Sequence, residues 1–168
     1  MPTASLVIDT SPIAELVRRL EEVDGDKREA LDAIGEAWEK TTFDHFETGT
    51  APDGTKWKPS QRVLKGKGKP PLKTLILTTQ LQRTTHHQVD GDIVEVGTNT
   101  PYAGAHQFGA TIQRAGAHAV PLVLPEGAAG GSVIVLPARP FLGFSAEDYA
   151  NTTEILEGFI EAKTGATP

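Results

Sequence analysis

Cysteine is absent from this 168-residue chain, and methionine occurs once. That excludes a disulfide framework, a thiolate zinc site, an iron–sulfur cluster and a cysteine nucleophile, and it fits a reducing compartment. Aromatic residues are only 6% of the chain, so a core must be assembled mainly from Leu, Val, Ile and Ala. No apolar run approaches the ~20 residues that a membrane span needs. The N-terminal MPTASLVIDTSP has neither the basic nor the apolar region of a signal peptide. The expectation is a soluble chain made in the cytoplasm, without a membrane partner. Glycine and proline are plentiful instead, at 17 and 12 residues, which points to many turns and away from a mostly helical bundle. The length suits one domain, 1–168, with a real core.

Acidic residues are missing from one stretch altogether. Between Lys56 and Lys73 the chain carries Lys56, Lys58, Arg62, Lys65, Lys67, Lys69 and Lys73 with no Asp or Glu, whereas residues 1–47 hold twelve acids against five bases. The net charge of −6 is therefore a +7 segment on a −13 body. Such segregation suggests contact with an acidic surface, nucleic acid or protein, the alternative being a solvated, flexible loop.

Periodicity divides the chain into a helical part (11–47), the basic loop (48–73), and a sheet with a C-terminal helix (74–163). Ser11 and Pro12 open a helix to Val23 in which Ile13, Leu16, Val17 and Leu20 share a face. Gly25 ends it, and Asp26 with Glu29 forms a capping box for a second helix to about Phe46, with Ala30, Ile34, Ala37, Trp38 and Thr41 along one stripe. From Thr48 to Pro71 periodicity is lost in a long exposed loop, of the length that is usually functional or disordered, with Trp57 placed to pin it. Leu72–Leu81 is short and apolar, helical or extended. Asp90-Gly91-Asp92 between Thr84–Val89 and Ile93–Val96 marks a hairpin. Further strands are expected at Ala110–Gln113, Val120–Leu124 and Ser132–Leu136, the last two joined by a PEGAAGG tip. A final helix from Ser145, with Asp148 as box partner, runs to about Lys163 with Tyr149, Ile155, Leu156, Phe159 and Ile160 on its apolar face. Without βαβ alternation this order means an α+β fold, an antiparallel sheet packed against N-terminal and C-terminal helices with a long basic loop.

Catalytic chemistry is hard to find. Gly49–Lys56 has the glycine spacing of a phosphate loop, but Thr and Lys are reversed and a helix, not a strand, precedes it. His45, His86, His87, His106 and His118 make no HExxH pair. A zinc site from His86, His106, His118 and a carboxylate, serving a hydrolase, is weaker than ordinary surface histidines. No serine lies in GxSxG. Glu21-Glu22 and Glu147-Asp148 suit helix-end charges, and Asn151-Thr152-Thr153 lacks the secretion signal a glycosylation acceptor needs. No enzyme and no cofactor are expected. Two segments stand out: Tyr102–Gly109, with Tyr102, His106, Gln107 and Phe108 among small residues, and Leu136–Gly143, where Pro137 and Pro140 bracket Arg139 ahead of Phe141. The prolines hold the backbone extended, and an Arg139 so fixed can grip a carboxylate within the chain or across an interface.

In order, the chain reads F-x-x-G-x-x-P-D-G-x-x-W (Phe46 to Trp57), the basic loop, an apolar step from Ile76 to Leu81, V-G-T-x-x-x-Y-A-x-x-H-Q-F-G (Val96 to Gly109) and L-P-A-R-P-F-L-G-F-S-x-x-D (Leu136 to Asp148). Over about residues 28–163 this resembles the phage virion morphogenesis family, the tail completion proteins of contractile-tailed phages and prophages. The resemblance implies a structural protein of the virion neck and tail end, present in the host cytoplasm during assembly. Such a protein completes the tail for head–tail joining as a homo-oligomeric ring, beside other tail and neck proteins and near packaged DNA. The interaction candidates are Lys56, Trp57, Lys58, Arg62, Lys65, Lys67, Lys69, Tyr102, His106, Gln107, Phe108, Arg139 and Phe141. The alternative is a nucleic-acid-binding module using residues 56–73, whose affinity would fall steeply with salt.

Overall fold

In a computed structural model, the structure describes residues 4–5, 13–23, 27–68, 72–113 and 133–165. Its order is strand β1 (Ala4–Ser5), helices α1 (Ala14–Val23), α2 (Arg28–Thr48), α3 (Gln61–Leu64) and α4 (Gln80–Arg83), strands β2 (His86–Asp90) and β3 (Ile93–Thr98), helix α5 (Ala103–Phe108), strands β4 (Ala110–Gln113) and β5 (Val133–Leu136), and helix α6 (Ala146–Thr164). The α+β class with antiparallel sheet and terminal helices is as expected, but the strands divide into two sheets. One is three-stranded in the order β1-β3-β2, and the other is the two-stranded β4–β5.

The hairpin forms where the sequence places it. Asp90 pairs with Ile93, and the register runs to His86 opposite Gly97, leaving Gly91 and Asp92 as the two-residue loop. Side chains alternate across such a strand, so exposed His86 and half-buried His87 face opposite ways. The α2 helix lies across β2 and β3 and also packs on α6, which in turn meets α1. Between α2 and α6 the Trp38 indole donates from Nε1 to Thr152 Oγ1 at 2.9 Å, and Thr152 donates to the Asp148 carbonyl at 2.7 Å. Both polar groups are thereby satisfied inside a cluster that contains Leu20, Ile34, Phe46, Leu81, Val96, Phe141, Leu156 and Ile160. The α6 start is a complete capping box: Ser145 Oγ accepts from the Asp148 backbone, and Asp148 Oδ2 accepts from the Ser145 N–H at 2.8 Å.

Several local expectations are corrected. The α2 helix opens at Lys27 without a side-chain cap and extends to Thr48; Gly25 and the Asp26 capping box lie outside the described residues, as do Ser11 and Pro12. Leu72–Leu81 is neither helix nor strand over its first part. Lys73 bridges to Ile76, while Leu75 and Thr79 take positive φ, 65° and 59°, so the run is bent twice before α4 begins. The 48–73 stretch contains the bridge Thr50–Lys56 and the single-turn α3. The strand expected at Val120–Leu124 and the PEGAAGG tip lie outside the described residues.

One polar cluster joins α2 to the sheet. His87 Nδ1 meets Glu39 Oε2 at 2.9 Å, and Nε2 meets Asp32 Oδ1 at 3.2 Å. Asp32 and Glu39 are two turns apart and share a helix face. Gly35, one turn beyond Asp32 on that face, leaves room for the ring, since a Cβ there would come within 2.4 Å of His87 Cδ2. Burial alone lowers the imidazole pKa, but the two carboxylates outweigh it and raise the value above 6.5. A raised folded-state pKa stabilises fully below the unfolded value and is lost as pH climbs through the folded one. Urea unfolding between about pH 5.5 and pH 8.5 should therefore show the advantage of the wild type over His87→Asn shrinking as pH rises. A constant difference across that window would exclude the charged pairing.

Candidate interaction site

Two prolines decide the geometry of residues 137–140. Pro140 has no N–H, and each proline biases its predecessor toward extended backbone. The segment therefore cannot sit inside a sheet, and its polar groups are met one at a time from outside. The Arg139 N–H donates to the His106 carbonyl at 2.7 Å. Gln107 Oε1 accepts from the N–H groups of Phe141 and Leu142 at 3.0 and 3.1 Å, while its Nε2 donates to the Leu142 carbonyl at 2.7 Å. Trp57 Nε1 donates to the Pro140 carbonyl at 2.8 Å. His45 Nδ1 lies 3.0 Å from the Phe141 carbonyl; a carbonyl only accepts, so Nδ1 carries a proton.

The elements that deliver these groups are each locally specified. After α2 stops at Gly49, the P-D-G turn is closed by Ala51 N–H to Thr55 O at 2.8 Å and by Thr55 N–H to Asp53 Oδ1 at 2.8 Å. The Trp57 N–H then returns to the Gly49 carbonyl at 2.9 Å. That places the buried Trp57 ring edge-on to Phe46, 5.9 Å between centroids, while Phe46 stacks at a tilt on the fully buried Phe141 at 5.1 Å. On the other side, the hydroxyls of Thr84, Thr98 and Thr100 lie 2.7–3.0 Å from one another and hold the turn before α5. Fully buried Ala103 and the buried Gly104 let α5 sit close. Gly109 follows at φ 76°, where a Cβ would lie 2.9 Å from the Ala138 N and 3.0 Å from the Leu136 carbonyl. Only glycine fits there.

The interaction candidates from the sequence therefore fall into two sets. Trp57, Gln107, Arg139 and Phe141 meet in one anchoring cluster. Arg139 is 5% exposed, its Nε donates to the Lys58 carbonyl at 2.8 Å, and no acidic side chain pairs with it among the described residues. Burial pulls its pKa down. His106 lies beside it with a buried, unpartnered Nδ1, and burial together with the Arg139 charge holds its pKa below the usual histidine value. Tyr102 stands edge-on to His106 at 5.8 Å and is partly exposed, while Phe108 is 70% exposed at the end of α5.

The basic residues are divided in the same way. Arg62 donates to the carbonyls of Lys73 and Ile76 at 2.5 and 2.7 Å, closing the loop on itself, and Lys73 pairs with Glu47, tying the loop's end to α2. Lys56, Lys58, Lys65 and Lys67 are exposed, with Lys56 Nζ 3.2 Å from the Thr48 carbonyl. Lys69 lies outside the described residues. Among the described residues no cluster of three or more His, Asp or Glu side chains is arranged to hold a metal ion. His86 is exposed on β2, and His118 is outside the described residues. The pairing of His45 and the His87–Asp32–Glu39 cluster carried no sequence signal, because each joins residues far apart in the chain.

A model of the phage virion morphogenesis family matches residues 8–161, and the chain belongs to that family. It is 27% identical over 149 residues to "Mu-like prophage FluMu G protein 2" of Haemophilus influenzae, with 89% of each chain covered. No solved structure matches.

Gln107 offers the sharpest check of the anchoring cluster. Gln107→Leu strands two N–H groups, each costing about 1–3 kcal/mol, so thermal unfolding should fall by about 10 °C at ~2–4 °C per kcal/mol for a chain of this size. A shift under about 1 °C would show that water replaces the amide without loss.

Proposed function

We propose that this member of the phage virion morphogenesis family is a non-catalytic component of the virion neck and tail end, completing the tail for head–tail joining as a ring of identical copies. Virion morphogenesis is the role of the family, and other virion proteins are accordingly its partners. The observation that carries the finer reading is the use made of the motif residues. Trp57, Gln107, Arg139 and Phe141 brace one another's backbone, as a rigid building block requires, and leave Lys56, Lys58, Lys65, Lys67 and Phe108 facing outward. A chain of 17.9 kDa reaches around a tail axis only by repetition, and head-to-tail repetition that closes makes a ring. No described helix is long and apolar enough to cross a membrane; on this reading assembly proceeds in the host cytoplasm and ends in the virion.

A second reading is favoured by the exposed lysines themselves: the 56–67 ridge contacts DNA near the neck. Counter-ion release makes the two readings separable, because a phosphate-bound ridge loses affinity with a salt slope of ~0.9 per contact.

Replacing Lys56, Lys58, Lys65 and Lys67 by Gln should leave the melting temperature nearly unchanged, since surface substitutions of this kind cost little. In phage lacking the wild-type gene, the same variant should lower the yield of infectious particles, with tails and filled heads left unjoined under the electron microscope. Normal particle yields would remove the ridge from assembly. Loss of salt-dependent DNA retention in a filter assay would identify DNA as its partner.

A further inference from the structure

We infer that Arg139, with His106 beside it, forms a binding site for a carboxylate carried by an acidic side chain. The Arg139 side chain is 5% exposed, and its one hydrogen bond among the described residues runs from Nε to the Lys58 carbonyl at 2.8 Å. The four N–H groups of Nη1 and Nη2 have no acceptor there, and no described acid pairs with the guanidinium. A cation buried without a counter-charge carries one of the largest penalties a fold can contain. Holding a single carbonyl does not require one: the neutral Trp57 and Gln107 side chains do that for Pro140 and Leu142. The guanidinium is also not sealed in. Fully buried side-chain polar atoms without a partner are confined, among the described residues, to His106 Nδ1 and Asp148 Oδ1. The Nη groups, equally unpartnered, therefore keep a narrow opening to solvent.

Several features fit that opening to a carboxylate. Arg139 is held at both ends, its backbone N–H on the His106 carbonyl at 2.7 Å and its Nε on Lys58. The Nη edge is thus presented in one orientation, and a planar guanidinium edge matches the two oxygens of a carboxylate with parallel hydrogen bonds. The second unsatisfied group, His106 Nδ1, belongs to the residue whose carbonyl the Arg139 N–H meets. Burial and the Arg139 charge keep that imidazole below the usual histidine pKa, so it is neutral at neutral pH, and with its proton on Nδ1 it is a further donor. The surroundings are cationic as well. Lys58, whose carbonyl Nε holds, is exposed, as is Lys56, and Asp53 in the preceding turn is engaged by the Thr55 N–H; an anion is drawn to such a place. The narrowness of the opening selects among anions. A side-chain carboxyl carries both oxygens at the tip of a slender arm, whereas a nucleic-acid phosphate is flanked by a sugar on each side.

The probe is sodium acetate at neutral pH, set against sodium chloride and sodium phosphate at matched ionic strength. The proteins are the wild type, Arg139→Lys, which keeps the charge but loses the fork, and Glu126→Gln, which removes the one acid between Gln113 and Val133. At ten times its Kd, a ligand bound only by the folded chain raises the melting temperature by about 3–6 °C for a protein of this size. A rise of that size in acetate over chloride is expected, and it should vanish when Arg139→Lys is introduced. A rise in the wild type identifies an open site that awaits the carboxylate of another protein. A rise confined to Glu126→Gln makes Glu126 the native occupant, and an oligomer whose mass by light scattering falls in acetate but not in chloride makes it an acid of a second copy. In each case the NMR signals of the His106 ring should move with acetate, which locates the site even where Arg139→Lys does not fold. Acetate without any of these effects, or with equal effects in folded Arg139→Lys, would overturn the site. Phosphate acting at lower concentration than acetate would overturn the carboxylate and make a phosphate group, as in DNA, the ligand.

Discussion

A stretch of backbone that cannot enter a sheet is the constraint around which this protein is arranged. Pro140 removes a donor, Pro137 and Pro140 fix the chain as extended, and the remaining backbone polar groups lie on buried Arg139, Phe141 and Leu142 and half-buried Pro140. Left unmet, each would cost about 1–3 kcal/mol. The structure meets them with three side chains and one carbonyl from distant places: His45 on α2, Trp57 after the P-D-G turn, Gln107 on α5 and the His106 carbonyl. Gln107 does the work of a neighbouring strand, accepting twice and donating once. Because those donors lie on α2, on the basic segment and on α5, satisfying one short backbone stretch fixes the relative positions of all three.

What was legible in the sequence followed the range of its physical cause. The Asp90–Asp92 hairpin and the Ser145–Asp148 capping box are set by residues within one or two turns and appear where expected; of the apolar face read for α6, Leu156 and Ile160 are buried and Ile155 and Phe159 partly so, but Tyr149 is exposed and Asp148 and Thr152 take the buried positions near it. Trp57 as a pin was also legible, since a lone large aromatic in a polar loop has little else to do. The pairing of His45 with Phe141, 96 residues away, was not, because a polar residue on an apolar stripe does not name its partner. The α3, α4 and α5 helices have four to six residues, too short for a period to register. Leu72–Leu81 misled through composition: its apolar content suggested a regular element, but Leu75 and Thr79 adopt left-handed backbone and Leu77 is left 74% exposed.

Charge is sorted by the same fold. Some of the body's acids find partners on α1, α2 and the hairpin, as in Arg18 with Glu15 and Glu22, or Lys27 with Glu21 and Asp92. Exposed pairs of this kind contribute little stability. In the basic segment, Arg62 is drawn into the loop's own closure and Lys73 into a pair with Glu47 on α2. The lysines left over stand on a segment that Trp57 ties to the buried core, and a charge on an anchored segment acts at a fixed place, whereas a charge on a free linker is spread through solvent.

The strings by which this chain resembles its family are, residue by residue, the parts of that anchor. P-D-G and Trp57 build the turn that reaches Pro140, the H-Q-F-G string supplies Gln107 and the φ 76° glycine, and P-A-R-P-F-L is the backbone they hold. Those strings therefore build a scaffold, and they say little about what it touches. Between the strings lie the exposed lysines after Trp57 and the β4–β5 ribbon. Both are rooted directly in the anchored backbone, Lys58 through the Arg139 bond to its carbonyl and the ribbon through Gly109 and Ala138. A load on either would therefore pass to the same few hydrogen bonds, those of Trp57, Gln107 and Arg139.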